Sequence, residues 1–126
     1  MPVAVRLTEV AADGTSVLVT KGLLNATRRN GMNKPQPLTP GAITKLEYHL
    51  EATCWRFSKG NSIRISINGS DFPNIWPTPF PGMLSVHWGP LHPSCVNLPV
   101  WDGGREASFE YFPSTEQIRP MGIGTE

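Results

Sequence analysis

The chain has 126 residues, enough for one domain and too few for two of ordinary size. A formal charge of +1 without a basic stripe gives no electrostatic reason to expect nucleic acid, and no apolar run is long enough to span a bilayer. Thirteen prolines and twelve glycines, spread between apolar runs, read as the turns of an all-β protein rather than as disorder.

The start, MPVAVRLTEV, lacks the charged and apolar regions of a signal peptide and reads as folded strand. Residues 3–10 alternate, with Val3, Val5 and Leu7 on one side and Ala4, Arg6 and Thr8 on the other. Asp13-Gly14 is a hairpin signal, and Val17 and Val19 resume the alternation. Gly22 interrupts it, which suggests a bulge there. Residues 30–41, NGMNKPQPLTPG, are loop.

From Thr44 to Cys54 the alternation is the clearest in the chain. Leu46, Tyr48, Leu50, Ala52 and Cys54 share one face; Lys45, Glu47, His49, Glu51 and Thr53 share the wet one. Residues 56–60 turn, and Ile63, Ile65 and Ile67 form a second apolar face. The two segments are expected to make a hairpin with one buried face. Residues 84–88 and 95–100 read as two more short strands, 109–112 as a last one, and the tail from Ser114 as mobile. Several short strands with frequent turns predict an antiparallel β-sandwich, a jelly roll or a related form. Cys54 and Cys95 make no framework. Both are expected to be reduced, as in the cytoplasm, while a bridge between neighbouring strands stays open.

Catalytic and metal motifs are weak. The nearest string to a nucleophile elbow, Gly60-Asn61-Ser62-Ile63-Arg64, lacks the second glycine and opens a strand instead of a helix. His87, His92 and Cys95 lie near one another in sequence without the paired spacing of a zinc site. His49, between Glu47 and Glu51 on a polar strand face, reads as a solvated histidine. Neither Asn25-Ala26-Thr27 nor Asn68-Gly69-Ser70 follows a secretory signal, so both are discounted as glycan acceptors. Gly122-Ile123-Gly124 lacks the strand-to-helix context of a phosphate loop. No catalytic residue, cofactor or metal is assigned.

The stretch DFPNIWPTPFPG, residues 71–82, is different. Phe72, Trp76 and Phe80 are large, and the prolines hold the backbone nearly fixed, so the loop loses little entropy on docking. Its rings either cap their own sandwich or face a partner; sequence leaves both open.

FSKGNSIRISINGSDFPNIWPTPFPG resembles the C-terminal β-sandwich of the Xaa-Pro dipeptidyl-peptidase and cocaine-esterase-like hydrolases. The resemblance rests on Gly60, Ile63, Arg64, Ile65, Ser70, Asp71, Phe72 and Pro73. Trp76-Pro77-Thr78-Pro79 is similar to a subgroup of acyl esterases. Val5 to Val10 with Asp13-Gly14, Gly22 to Arg29, Pro40-Gly41, Pro93-Ser94 and Leu98-Pro99-Val100 resemble further strands and turns of that domain, in the family's order. The chain departs from the pattern at Asn61-Ser62, where the family often has His-Arg, and after Val100.

The resemblance implies a galactose-binding-like, jelly-roll sandwich lacking its first strands, over residues 1–101; the last strand and tail expected from the residues occupy 102–126. In that family the serine, aspartate and histidine triad lies in a preceding α/β-hydrolase domain, so no catalytic residue carries over. The domain performs no chemistry; it packs on the catalytic domain and helps shape its site. The implied partner is that hydrolase domain, from the same gene or a separate chain, and Arg64, Asp71, Phe72, Pro73 and Trp76 are the candidate interface residues. Whether the assembly is an enzyme depends on that domain. An uncovered sheet edge also predicts self-association, and no membrane or nucleic-acid partner is expected. The alternative is a free-standing carbohydrate-binding module using the rings of Trp76, Trp88 and Trp101.

Overall fold

The computed structural model describes residues 1–80 and 82–101. Two compact units divide the chain, Met1–Val86 and a second beginning at His87. The strand expected at 109–112 and the tail from Ser114 lie outside the described residues.

Among the described residues the chain is all-β apart from a single 3-10 turn. Strands β1 (Pro2–Val10), β2 (Ser16–Asn25) and β3 (Ser62–Asn68) form one antiparallel sheet in the order β2-β1-β3. The 3-10 turn spans Ala26–Arg28, and the Asn25 side chain accepts from the Thr27 amide to cap it. The Asp13-Gly14 signal holds. Asp13 accepts from the Thr15 amide at 2.8 Å, Ala11 donates to the Thr15 carbonyl at 2.9 Å, and Gly14 sits at φ 88°, where a side chain is disfavoured.

The bulge is displaced from its expected place. The β1–β2 register shifts between Leu7 and Thr8, whose partners are Thr20 and Leu18, so Val19 is the extra residue. Gly22 stays in register opposite Val5 and is small for another reason. A Cβ there would lie 2.8 Å from Leu50 Cδ2 and 2.9 Å from the His49 carbonyl oxygen. The 49–51 segment crosses β2 at this point, tied by Glu51 N to Lys21 O at 2.8 Å and Thr20 Oγ1 to Glu51 O at 2.6 Å.

That crossing replaces the expected hairpin. β3 pairs along its whole length with β1, Val5 opposite Ile67, Leu7 opposite Ile65 and Glu9 opposite Ile63, and not with residues 44–54. The alternation of 44–51 survives in exposure: Leu46, Tyr48 and Leu50 are half-buried while Lys45, Glu47, His49 and Glu51 are exposed. The segment has the pattern of a strand but no ladder. Residues 84–88 and 95–100 likewise form no strand.

The core is therefore small and lies on the central strand. Val3, Ala4 and Leu7 of β1 and Ala26 are buried. Isoleucines 63, 65 and 67, expected as core, are 51%, 36% and 37% exposed. A central strand is flanked on both edges, whereas β3 is an edge strand whose apolar face carries little cover. No helix among the described residues is long and apolar enough to cross a membrane.

Candidate functional site

Successive strand residues face opposite sides, so the two faces of the sheet have different jobs. Val5, Leu7 and Glu9 share one face with the β3 isoleucines. Arg6 of β1 and Lys21 of β2, direct partners in the ladder, share the other. Two loops are fixed to these faces, each by one buried carboxylate.

On the isoleucine face, Glu9 is buried and accepts three bonds of 2.7 Å: from Trp55 Nε1, the Ser58 amide and Asn61 Nδ2. These hold the 55–61 turn that delivers the chain into β3. The Ser58 amide, then the Trp55 and Asn61 side chains, keep the Glu9 carboxyl below the usual carboxylate range. Asn61, where the resembling family often has His-Arg, is thus part of this cage.

On the opposite face, Asp71 is 5% exposed. It pairs with Arg6, lies 3.5 Å from Lys21 Nζ, and accepts from Asn74 Nδ2 at 3.1 Å. Its backbone exchanges two hydrogen bonds with Ile75, Asp71 N to Ile75 O at 3.1 Å and Ile75 N to Asp71 O at 2.9 Å. The Phe72–Pro73 peptide inside this loop is cis. An open hollow of about 350 Å³ beside it is lined by Arg6, Lys21, Glu51, Asp71 and Asn74 among others.

With Asp71 turned inward, its neighbours point out. Phe72 and Trp76 are 65% and 73% exposed and meet edge to face, ring centroids 5.7 Å apart at 70°. That geometry contributes about 0.5–1.5 kcal/mol beyond area burial in aromatic pairs, so the rings hold each other in place. Phe80 is also exposed. The rings do not cap their own sheet. Pro73 is exposed between them, and Arg64 is exposed on β3, where its carbonyl accepts from Thr8 Oγ1 at 3.4 Å. Of the five interface candidates, the loop therefore joins Asp71, Phe72, Pro73 and Trp76; no bond ties Arg64 to that group.

Sequence reading missed Arg6, Lys21 and Glu9, and of these Glu9 left a signal. Glu9 continues the Val3, Val5, Leu7 series, so a carboxylate falls on an apolar face and needs donors there. A second missed signal is compositional: residues 72–101 contain no Asp, Glu, Lys or Arg.

In the second unit, Trp88 is exposed, and His87 and His92 meet edge to face at 5.9 Å. Among the described residues the bond between a serine and a histidine, Ser94 Oγ to the His87 carbonyl at 2.6 Å, ends on backbone and not on imidazole. No cluster of three His, Cys, Asp or Glu side chains there is placed to hold a metal ion. Cys54 and Cys95 are free and exposed.

Among the described residues, then, each face of the sheet holds one loop through a buried carboxylate, and the loop at Asp71 turns its rings outward. In a comparison with protein families, the X-Pro dipeptidyl-peptidase C-terminal non-catalytic domain matches residues 2–97. The chain belongs to this family. A protein named "Putative serine esterase" from Mycobacterium bovis is 29% identical over 119 aligned residues, covering 76% of this chain and 18% of the relative. Its counterpart in Mycobacterium tuberculosis gives the same figures. The chain thus spans about a fifth of the length of the curated relatives it matches. No solved structure matches it. The sequence resemblance, drawn from the 57–82 stretch and its flanks, named the same family.

Proposed function

We propose that this non-catalytic C-terminal domain docks on an α/β-hydrolase catalytic domain, supplied by the same gene product or a separate chain, and helps shape that domain's active site. The observation that carries the reading is the loop geometry. A buried, ion-paired Asp71 turns Phe72 and Trp76 outward at the start of thirty residues without a formal charge. Large apolar side chains kept in water cost free energy that a dry interface recovers, and aromatic anchors dominate such interfaces. A charge-free stretch suits an apolar partner face, because no ion has to be desolvated.

Membership of a non-catalytic family supports a division of labour in which the reaction belongs to the partner. The serine-esterase relatives support an ester as the partner's substrate, and the family name a prolyl peptide. The sheet is read as part of a jelly-roll, galactose-binding-like sandwich whose other strands are not among these three. On this reading the protein is cytoplasmic, a compartment in which Cys54 and Cys95 would stay thiols. The uncovered sheet edge is the route to any homo-oligomer.

The direct test is co-purification of the chain with the α/β-hydrolase domain encoded beside or upstream of it. Binding that is lost in Phe72→Ala/Trp76→Ala supports the reading; no binding by the unaltered chain contradicts it. The second reading, a carbohydrate-binding module, is favoured by the exposed rings of Trp76 and Trp88, together with Trp101. It predicts a change in tryptophan fluorescence on titration with sugars.

A further inference from the structure

We infer that Arg6 and Lys21 are positioning residues for docking: reaching Asp71 from two different strands, they set the direction in which Phe72 and Trp76 face the partner. The inference rests on the reading of the aromatic loop as the contact with a hydrolase domain.

Residues 71–75 form a closed hoop, in which the Asp71 and Ile75 backbones exchange hydrogen bonds of 3.1 Å and 2.9 Å. These bonds shape the hoop but do not fix how it sits on the sheet. Among the described residues, every hydrogen bond or ion pair from the hoop to the sheet runs through the Asp71 carboxylate.

A body held at one point swings about it. Here the hold is on two oxygens and from two strands. Oδ1 accepts from Arg6 Nη2 of β1; Oδ2 lies 3.5 Å from Lys21 Nζ of β2 and accepts from Asn74 Nδ2 at 3.1 Å. That fixes the plane of the carboxylate as well as its place, and the Asp71 side chain is only 5% exposed. Phe72 follows Asp71 directly and Trp76 follows Ile75, so both rings take their direction from the hoop. Their edge-to-face contact joins them into one unit.

The two cations are unequal. A guanidinium is a planar fork matched to a carboxylate, whereas an ammonium is a point charge on a flexible stem. Lys21 is steadied from another side: its carbonyl accepts from the Glu51 amide at 2.8 Å, so the 49–51 crossing and the docking loop meet on one residue of β2. Among the described residues neither cation has a hydrogen bond or ion pair with the rings, so their effect on docking passes through Asp71. An anchor set in its binding direction beforehand loses less on association than one that must be ordered then.

The experiment uses the full chain labelled with fluorotryptophan. Of its four tryptophans, Trp76 and Trp55 are assigned in the fluorine NMR spectrum by Trp→Phe variants. Arg6→Met and Lys21→Met remove each cation; Arg6→Lys keeps the charge, and so the ion pair, but gives up the fork. In the isolated chain the Trp76 resonance should move in all three, most in Arg6→Met. The resonance of Trp55, held by Glu9 on the other face, should stay, which a general loss of stability would not allow. Binding to the hydrolase domain should weaken about tenfold in Arg6→Met, but no more than about threefold when Trp76→Ala is already present, because the two changes act on one contact. An unmoved Trp76 resonance, or losses of binding that simply add, overturns the inference. An unaltered chain that binds no hydrolase sinks the docking proposal, while a moved Trp76 resonance still assigns the setting of the rings to Arg6 and Lys21. Binding by the unaltered chain with an unmoved resonance in all three variants does the reverse.

Discussion

Arg6 and Lys21 stand opposite each other in the β1–β2 ladder and close on the same carboxylate, Asp71. Two cations on neighbouring strands repel unless an anion sits between them. Asp71 supplies it, and in doing so fixes the start of the aromatic loop to the sheet.

Asp71→Ala is expected to destabilise the chain by about 1–3 kcal/mol. Breaking a buried pair costs about 3–5 kcal/mol, but both cations here are partly solvated, which lowers the figure. Urea unfolding measures the loss. Near-ultraviolet circular dichroism should also change, because Phe72 and Trp76 lose their fixed setting. An unaltered spectrum would detach Asp71 from the rings.

Gly22→Ala tests the crossing of residues 49–51 over β2. The new methyl meets a backbone carbonyl at 2.9 Å, which cannot swing aside as a side chain can. A loss of about 1–3 kcal/mol is expected in thermal or urea unfolding. Gly69→Ala meets nothing within 4 Å and serves as the neutral control.

Glu9 contributes a pH-dependent share of stability. Its folded carboxyl, bonded first by the Ser58 amide, titrates below its ordinary 4.5. The share is therefore complete above pH 4.5 and is lost as pH falls through the lower folded value. Asp13, held down by Thr15, and Glu47, held down by Lys45, act in the same direction, so the comparison must be with Glu9→Gln. The gap in melting temperature between wild type and Glu9→Gln should be widest near neutrality and close in acid. A gap constant with pH would remove Glu9 from the acid response.

Phe72→Ala and Trp76→Ala should leave the isolated chain nearly as stable as before, within about 1 kcal/mol, because both rings are mostly in water. Binding to a hydrolase domain, measured by calorimetry, should weaken roughly tenfold or more for each. Equal losses of stability and binding would instead make the rings part of the fold.

Local chemistry was legible in the sequence where one residue decides it. Asp13-Gly14 specified its turn, and the alternation of residues 3–10 and 62–68 specified β1 and β3. Pairing was not legible, because it depends on what lies above a face. Residues 44–54 alternate better than β1 does, yet they cross β2 instead of joining a ladder, and the apolar side of β3 is left half open. Gly22 marked an irregular site correctly and its cause wrongly: the glycine clears a path for Leu50, while the extra residue is Val19. The aromatic loop was found by its rings and prolines. Its anchors, Arg6 and Lys21, lie 65 and 50 positions before Asp71, a separation only the folded sheet bridges.

On the proposed reading this domain does no chemistry itself and acts on a hydrolase domain through contact. One titration tests it most directly: hydrolysis of a chromogenic ester and of a prolyl-dipeptide substrate by the α/β-hydrolase domain, as the purified chain is added. The chain alone should be blank, and the hydrolase rate should change to a plateau that Phe72→Ala/Trp76→Ala fails to reach. Turnover by the chain alone, or a hydrolase rate indifferent to its addition, would contradict the claim.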